Sequence, residues 1–447
     1  MIIDDRIEEE YRALHPNQRG AVDAILEDCY GDDFYVLPVI DGPPGTGKTH
    51  TGAVAAGKYV LQDPTKHKVI YTAFTNYALD RAKESVEKLG FPKHDVVRLL
   101  STTGLKEWSD GRVGCGWNLC DLSFNDIRRL QAAPFILCTP YMYGRIGRLK
   151  MRRKIIIDEF SQIDVPNFVM ILNKTKQLNP DGFALLGDPL QLPVVTTQED
   201  LHENIVRFIR TKKSFDSHVL TTQHRMHKTI CDAVNNMRRE LATDLSFSSP
   251  KDLVSSDLAK NRGMTELGYH WDKRATNKFE EVLDPSFPLV IINTDADGNE
   301  FEKQSPFRST YYDREADLAS QIAKEAYASY TKDGQHFVPK IITPYTAQVC
   351  QIKKKLPARL KEEDAVTTVY RFQGREHPLV IVSMVRNNFS GDIGFLDMPM
   401  LRGQGYVAVS RAQAKMIVLM SKHTFSTHPI FEALARTKAD DCLKVKW

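Results

Sequence analysis

The segment DGPPGTGKT, residues 41–49, decides how the first half of the chain is expected to fold. It follows a short apolar run, and its spacing fits G-x-x-x-x-G-K-[ST] at Gly42, Gly47, Lys48 and Thr49. This pattern is typical of a loop between a buried strand and a helix. The helix is predicted over about residues 50–61. Glycines let backbone N–H groups turn inward around phosphate oxygens, while Lys48 brings a positive charge and Thr49 a hydroxyl for Mg²⁺. The segment therefore predicts a phosphate site at the start of a helix.

A pair of acidic residues is expected to complete this site. The run KIIIDEFSQ, residues 154–162, has the apolar character of a strand that ends at Asp158 and Glu159. In that position Asp158 can reach a metal ion, and Glu159 can orient and deprotonate an attacking water. The alternative for such a pair is a solvated strand end. Because the pair occurs in the same chain as a phosphate loop, it favours a metal site, and hydrolysis over phosphoryl transfer to a metabolite.

Short apolar runs recur along the chain and define the expected fold class. Five lie before residue 190 and four after residue 285, at residues 34–40, 68–74, 135–138, 154–158, 183–188, 288–292, 340–343, 379–385 and 416–420. Such runs alternating with helical patterns are typical of buried parallel strands in α/β proteins. We therefore expect two α/β domains, over residues 1–212 and 213–447, with a helical or irregular segment at about 240–287 in the second.

The composition agrees with a folded protein of at least two domains. The chain has 447 residues, of which 42% are hydrophobic and 26% charged. Its net charge of +3 is small, so any site for a polyanion must come from the local placement of basic groups and backbone donors. The seven cysteines include no Cys-x-x-Cys pair, and neither a signal peptide nor a membrane-spanning stretch is evident. These features favour an intracellular protein, in the cytoplasm or the nucleus.

Further motifs give the chain a resemblance to a known family. GDPLQLP (187–193) and QHRMH (223–227), together with the phosphate loop and DEFSQ, resemble superfamily 1 helicases of the Upf1-like branch. The other motifs of that family follow in order, namely LHPNQ (14–18), TNYALD (75–80), CTP (138–140), ITPYTAQ (342–348), TVYRFQGRE (368–376) and VAVSRA (407–412). The resemblance implies two tandem RecA-like domains, each a parallel sheet flanked by helices, with ATP and Mg²⁺ bound in the cleft between them.

The resemblance also assigns roles to individual residues. By matching position, Gln18 would read the adenine edge, and Gln191 would couple the γ-phosphate to the nucleic-acid groove. Arg225 and Arg411 would be two arginine fingers, because planar guanidinium groups meet the charge that develops on phosphoryl oxygens; a surface salt bridge is the alternative for each. The implied nucleotide contacts are Gln18, Gly42, Pro43, Pro44, Gly45, Thr46, Gly47, Lys48, Thr49, His50, Gln191, His224, Arg225, Gly374, Glu376 and Arg411.

The implied function is that of a monomeric ATP-dependent helicase or translocase that moves along single-stranded RNA or DNA, from 5′ to 3′ by analogy. Gln373 and Glu376 would contact the ribose and link it to the strand, unless they form a pair on the loop surface. Backbone phosphates would be held by polar groups for which ordinary capping is the alternative: Thr75, Asn76, Thr139, Thr343 and Thr368. Such contacts do not distinguish RNA from DNA.

Two other functions stay open. One is a nucleic-acid-stimulated ATPase that remodels nucleoprotein complexes without unwinding duplex. The other is a non-catalytic adaptor that binds RNA or a protein partner. A degenerate scaffold is expected to lose some of the site residues, whereas this chain has all of them, which favours an active enzyme over the adaptor: Lys48, Thr49, Asp158, Glu159, Gln191, Arg225 and Arg411.

Some positions depart from the family pattern. His224 stands where the family has an aromatic residue that stacks on adenine, and Tyr370 stands where it has an acid. The segment at about 81–134 is too short for the β-barrel that relatives insert there. We expect a reduced insertion, with two tryptophans and with two thiols that bind no zinc: Trp108, Trp117, Cys115 and Cys120.

Overall fold

The computed structural model describes residues 3–27, 37–100, 117–118, 130, 132–143, 153–175, 180–193, 205–206, 217–244, 250–295, 301–398 and 401–446. The chain divides into two compact units. The first comprises Met1–Pro189 and Pro193–Thr221, and the second comprises Leu190–Leu192 and Thr222–Trp447. None of the helices within the described residues is both long and apolar enough to cross a bilayer.

The first unit is built on a sheet of eight parallel strands in the order β4-β3-β5-β2-β6-β7-β1-β8. The strands are β1 Val39–Asp41, β2 Lys68–Thr72, β3 Val96–Leu100, β4 Trp117–Asn118, β5 Phe135–Cys138, β6 Arg153–Ile157, β7 Pro180–Gly187 and β8 Ser217–Val219. The helices are α1 Ile3–Ala13, α2 Pro16–Leu26, α3 Lys48–Gln62, α4 Asn76–Lys88 and α5 Val165–Thr175, with short 3₁₀ helices at Pro140–Met142 and Phe160–Gln162.

Successive residues of each central strand point to opposite faces of this sheet, and each face has its own core. In one core, the four helices α1, α2, α3 and α4 pack against the sheet residues Ile40, Val69, Tyr71, Leu137, Ile156 and Leu186. The other joins α5 to the opposite face through Val39, Ile70, Ile136, Ile155, Ile157 and Leu185. Burial on both faces explains why these strands are continuous apolar runs in the sequence.

The second unit is built on a sheet of six parallel strands in the order β18-β17-β19-β20-β12-β21. These strands are β12 Leu289–Asn293, β17 Lys340–Thr343, β18 Val366–Thr368, β19 His377–Ser383, β20 Ala412–Met420 and β21 Cys442–Lys446. Two separate cores again cover the two faces of the sheet. The unit therefore repeats the architecture of the first.

Shorter strands form three small sheets in the second unit. They are β9 Thr222–Gln223, β10 Val254–Ser255, β11 His270–Trp271, β13 Lys303–Gln304, β14 Thr310–Tyr311, β15 Tyr330–Lys332 and β16 Gln335–His336. The helices of this unit are α6 Lys228–Asp244, α7 Asp257–Lys260, α8 Glu280–Leu283, α9 Asp313–Ser329, α10 Thr346–Lys355, α11 Ala358–Glu362, α12 Gly403–Val409, α13 Lys422–Phe425 and α14 Pro429–Ala435. Further 3₁₀ helices lie at Lys273–Ala275, Tyr370–Phe372 and Gly394–Asp397.

The expectation of an α/β protein with helix-flanked parallel sheets is confirmed. The division between the units, however, lies after Thr221 and not near residue 212. The reason is β8, which pairs in parallel with β1 and keeps the chain in the first unit up to that point. Most of the expected insertion, including Trp108, Cys115 and Cys120, lies outside the described residues.

Candidate functional site

The glycine-rich segment at residues 41–49 forms a tight loop between β1 and α3 in the first unit. The N–H of Gly42 donates to the carbonyl of Gly187 at the end of β7 (2.8 Å), which fixes the start of the loop to the sheet. Gly45 and Gly47 have φ values of 79° and 78°, in the left-handed region that glycine adopts at little cost. Such turns aim consecutive N–H groups into one concavity at the N-terminus of α3, which suits a phosphate group.

The Lys48 side chain folds across this loop. Its ammonium group donates to the carbonyl oxygen of Gly42, and the residue is only 9% exposed. A Cβ atom on Gly42 would lie 2.1 Å from the Cγ atom of Lys48, so a side chain at this position would displace the lysine stem. The ammonium group is thus held over the concavity, where a positive charge can meet phosphate oxygens.

Gln18 lies against the same loop. Its amide nitrogen donates to the carbonyl of Thr46 (3.0 Å), and its amide oxygen accepts from the N–H of His15 (2.9 Å). His50, the third residue of α3, faces Glu10 of α1, with 3.4 Å between the ring nitrogen and the carboxylate. Burial lowers the pKa of His50, an effect that Glu10 partly offsets. The His50 ring therefore faces α1. Its backbone N–H, in the first turn of α3, is the group that suits the anion site.

Asp158, at the end of β6, meets the start of α3. Its Oδ2 atom accepts from the hydroxyl of Thr49 (2.9 Å) and from that of Tyr71 in β2 (2.8 Å), and its Oδ1 atom accepts from the N–H of Glu159 (2.8 Å). Asp158 is fully buried. Burial and the Asp158 carboxylate both hold the pKa of Tyr71 well above its ordinary value, so the phenol stays protonated and donates.

This pair of oxygen ligands fits a magnesium ion. Mg²⁺ commonly takes one or two protein oxygens and completes its octahedron with water and substrate phosphates. The Thr49 hydroxyl and the Asp158 carboxylate already lie within hydrogen-bonding distance of each other, beside the phosphate concavity. Within the described part of the chain, no group of three or more His, Cys, Asp or Glu side chains is arranged to hold a metal. The chemistry of the pair thus suits an ion that is shared with phosphates.

Glu159 has an unusual backbone conformation. Its φ and ψ angles of 57° and 47° lie in the left-handed region, which costs a non-glycine residue on the order of 1 kcal/mol or more. The residue precedes the 3₁₀ helix Phe160–Gln162, whose last N–H donates to the Glu159 carbonyl (3.0 Å). Backbone strain of this kind is concentrated at functional sites, which agrees with a catalytic role for this carboxylate.

A second group of expected site residues lies together in the second unit. Arg225, in the turn before α6, forms an ion pair with Glu376 at the start of β19, and its guanidinium also donates to the carbonyl of Ser410 (3.2 Å). The other carboxylate oxygen of Glu376 accepts from Gln413 (2.9 Å). The two side chains of this pair are 13% and 27% exposed, so the pair is partly buried. Glu376, which is expected to contact the ribose, thus lies beside Arg225 and Gln413.

Arg411 lies next to this pair. It is 2% exposed, and its guanidinium donates to the carbonyls of Val407 (2.8 Å) and Arg375 (3.3 Å) and to the Ser410 hydroxyl (3.2 Å). Ser410 thus contacts both arginines, through its carbonyl and its hydroxyl. Two arginines that are 186 positions apart in the sequence therefore converge on one residue of the loop between α12 and β20.

Gln191 belongs to the second unit and not, as expected, to the first. The segment Leu190–Leu192 belongs to the second unit, because both leucines are buried in a core of that unit. The Leu190 carbonyl and the Gln191 backbone lie against Gly403, the first residue of α12. Gln191 is 6% exposed. It is thus attached to the helix that leads to Arg411.

The remaining nucleotide candidates in the second unit differ in environment. Gln373 is buried, and its amide nitrogen finds no hydrogen-bond partner among the described residues, while Gly374 turns the chain with a φ of 80°. His224 is exposed, and its carbonyl accepts from Arg262 (2.7 Å). Tyr370, which replaces an acid of the family pattern, packs against the core, and burial raises its pKa to about 12.

The residues expected to hold nucleic-acid phosphates are mostly engaged within the fold. The Thr75 hydroxyl caps α4 by accepting from Ala78 (3.2 Å), and the Asn76 amide oxygen accepts from Arg98 (2.6 Å). The Thr343 side chain is fully buried. The other two lie half-buried at a helix start and a strand end, at Thr139 and Thr368. For Thr75, the structure therefore shows the alternative role, which is that of a helix cap.

Several residues that shape these sites were not expected from the sequence. Tyr71 follows the aliphatic pair Val69 and Ile70 in β2, and a tyrosine in a buried strand is a usable signal because its hydroxyl needs a hydrogen-bond partner. Gln223 holds the turn around Arg225 by accepting from its N–H (2.8 Å) and from that of Met226 (2.7 Å). Arg262 braces the same turn through the carbonyls of His224 and Arg225. No pattern in the sequence marks Arg262, because its contacts depend on the folded chain.

Comparison with known proteins identifies the family. Two AAA domain models match the chain, one over residues 13–255, which is more than half of it, and the other over residues 201–423. The chain belongs to the AAA domain family. Within this family, the resemblance to superfamily 1 helicases of the Upf1-like and DNA2-like branch is confirmed by relatives that match most of the chain.

One such relative of this AAA domain protein is the DNA replication ATP-dependent helicase/nuclease dna2 of Schizosaccharomyces pombe, 26% identical over 92% of the chain and 28% of the relative. Another is the regulator of nonsense transcripts 1 homolog of Neurospora crassa, 26% identical over 96% of the chain and 39% of the relative. A solved structure, an arterivirus nonstructural protein 10 (helicase) in complex with DNA, is 13% identical with a TM-score of 0.41 and covers 90% of this chain and 62% of its own. The chain thus spans well under half the length of these two curated relatives.

Proposed function

We propose that this chain is an ATP-dependent helicase or translocase that hydrolyses ATP to ADP and phosphate and moves along single-stranded RNA or DNA. The observation that carries the proposal is the convergence of Thr49, Asp158 and Tyr71 beside the phosphate loop. The names of its relatives, an ATP-dependent helicase/nuclease and a regulator of nonsense transcripts, support a nucleic-acid-dependent ATPase.

In the first unit, the loop N–H groups and Lys48 would bind the outer phosphates, and Thr49 and Asp158 would hold Mg²⁺. A bound magnesium ion supplies positive charge to phosphate oxygens and lowers the cost of charge on the leaving group. Glu159 would orient a water and accept its proton, which is general-base catalysis. Gln18 would reach the adenine with the remaining hydrogen-bonding capacity of its amide.

In the second unit, Arg225 and Arg411 would act on the same phosphates when ATP draws the two units together. Glu376 would keep the Arg225 guanidinium in place until then, since the two already form an ion pair. Gln191 would couple the nucleotide to the strand through its contact with α12. Closure and reopening would move the strand between the units, with a 5′ to 3′ direction suggested by analogy alone.

The competing function is that of a nucleic-acid-stimulated ATPase that strips proteins from a strand without unwinding duplex. The segment at about residues 81–134 favours it, because this segment is too short for the β-barrel that relatives insert there. A strand-displacement assay run beside an ATPase assay separates the two. Helicase activity predicts that a duplex with a single-stranded tail is opened as ATP is consumed. Hydrolysis without displacement would favour the remodelling ATPase, and absence of hydrolysis would favour the adaptor.

The contact between Tyr71 and Asp158 leads to a prediction about metal binding. Outer-shell partners that orient a metal ligand typically change metal affinity about tenfold or more when they are lost. We expect Tyr71→Phe to weaken binding of Mn²⁺, used as a spectroscopic probe for Mg²⁺, by about tenfold in the presence of nucleotide. Electron paramagnetic resonance of free Mn²⁺ measures this without reliance on turnover.

The matched control is Tyr59→Phe, which changes another buried tyrosine of the first unit, one that stacks on His67. Thermal melting of both variants shows whether the fold is intact. Equal Mn²⁺ affinity in Tyr71→Phe and the wild type would show that Tyr71 does not position Asp158.

A further inference from the structure

Two phenylalanines of the second unit are unusually exposed. Phe307 is 93% exposed and Phe389 is 76% exposed. Phe307 lies at the tip of the hairpin formed by β13 and β14, whose strands pair in antiparallel fashion. A single exposed apolar side chain is ordinary in a soluble protein, so the exposure gains meaning only from where these rings lie.

Both phenylalanines belong to chain segments at one edge of the six-stranded sheet. The strands β12, β17 and β19 are parallel to their neighbours, so their carboxyl ends meet at the same edge. Phe389 is in the loop after β19. The hairpin is attached to the segment after β17, because the Ser309 hydroxyl accepts from the N–H of Ala347 in α10 (3.0 Å). This is also the edge at which Thr343 and Thr368 were expected to contact a strand.

The Phe389 loop is held firmly in place. Its ring packs against Phe301, with 4.3 Å between centroids. Glu302 ties the two segments together, since its N–H donates to the Asn387 carbonyl (3.2 Å) and its carboxylate pairs with Arg386 (2.9 Å). An aromatic ring that is exposed and yet fixed at its base loses little freedom when it binds a ligand.

A buried acid anchors the start of this loop. Val385 has a φ of 76°, which is strained for a β-branched residue, and its N–H donates to the Glu315 carboxylate (2.8 Å). Glu315 is fully buried and also accepts from the hydroxyls of Thr294 and Ser383, each at 2.7 Å. The same carboxylate therefore links the ends of β12 and β19. The start of the loop that carries Phe389 is thus fixed to a buried carboxylate.

The charge beside the hairpin tip is positive. Arg308 follows Phe307 directly and is exposed, and it forms no ion pair with any residue in the part of the chain that the structure describes. Lys303, at the base of the hairpin, pairs with Asp313 (2.9 Å). The tip therefore combines an exposed ring with a free guanidinium, a combination that suits a base and its phosphate.

We propose that Phe307 and Phe389 form a stacking surface for the bases of a single nucleic-acid strand, with Arg308 beside its phosphates. This inference rests on the proposed function, and it names the part of the second unit that would contact the strand. Stacking on aromatic rings accepts any base, because every base has a π-face, and this suits an enzyme that moves along a strand. Peptide ligands with an apolar side chain are the competing occupant.

The test compares a fluorescent oligothymidylate of about a dozen nucleotides with an abasic strand of the same length. Fluorescence anisotropy gives the affinity of each strand for the wild type, Phe307→Ala and Phe389→Ala. We expect each substitution to weaken binding of the base-bearing strand by about fivefold to a hundredfold, and to leave binding of the abasic strand unchanged. Phe307→Trp should keep the wild-type affinity.

The control is Leu258→Ala, which removes an apolar side chain that is 80% exposed in the same unit. It should change neither affinity. Equal weakening of both strands by the phenylalanine variants, or no weakening of either, would overturn the stacking role. If the wild type binds neither strand, the proposed function itself fails and the stacking surface with it, whereas wild-type binding that survives both alanine substitutions overturns the stacking surface alone.

Discussion

Glu159→Gln is expected to bind ATP with nearly unchanged affinity and to hydrolyse it on the order of 10² to 10⁴ times more slowly than the wild type. The amide keeps the size of the side chain but does not accept the proton of the attacking water. Lys48→Ala should lose hydrolysis for a different reason, because the ammonium group contacts phosphates in the ground state and its removal weakens nucleotide binding. Steady-state kinetics and equilibrium binding of a fluorescent nucleotide separate the two effects.

A control for this pair is Glu84→Gln, which changes an exposed glutamate that pairs with Arg81 on α4. Exposed pairs of this kind contribute little to stability, so this variant should behave as the wild type. Near-normal turnover in Glu159→Gln would show that another group activates the water. In that case the strained backbone at Glu159 would need a structural explanation.

Arg225→Ala and Arg411→Ala should each lower kcat on the order of 10³-fold or more while raising the KM for ATP far less. The reason is that a guanidinium interacts more strongly with phosphoryl oxygens as charge develops on them. Because both arginines contact Ser410, we expect them to act as one unit. The double variant should then be scarcely slower than the slower single variant.

Two further variants make this result interpretable. Arg436→Ala removes an exposed arginine that directly follows α14 and pairs with Glu432, and it should leave kcat unchanged. Arg411→Lys keeps the positive charge but removes the planar guanidinium group. Its kcat should stay as low as that of Arg411→Ala, because an ammonium group does not reproduce the paired donors. Since Arg411 is buried, thermal melting must show that each variant is folded. A double variant whose loss equals the product of the two single losses would mean that the arginines act independently.

The strands that could be predicted from the sequence are the ones buried on both faces. The runs that contain β2, β6 and β19 are continuous and apolar because each face of the sheet has a core. The strand β3 was not predicted, because Arg98 interrupts its apolar run. In the structure Arg98 is buried and pairs with Asp80 (3.3 Å) and Asn76. Only the folded chain supplies these partners.

The candidate site shows the same limit. The phosphate loop and Asp158 are local patterns, so the sequence predicts them well. The contact of Tyr71 with Asp158 depends on strand order, since β2 and β6 are neighbours only in the folded sheet. The pairing of Arg225 with Glu376 likewise joins residues 151 positions apart. The end of the first unit was misplaced because β8 is short and polar, and it is a strand only because it pairs with β1.

The central claim is tested most directly by the rate of ATP hydrolysis of the wild-type chain with and without saturating single-stranded nucleic acid. Poly-rU and poly-dT are each added, with Glu159→Gln measured in parallel to exclude a contaminating ATPase. We predict a several-fold rise in rate with at least one polymer and no rise in Glu159→Gln. A rate that neither polymer changes, or one that Glu159→Gln shares, would contradict a nucleic-acid-driven ATPase.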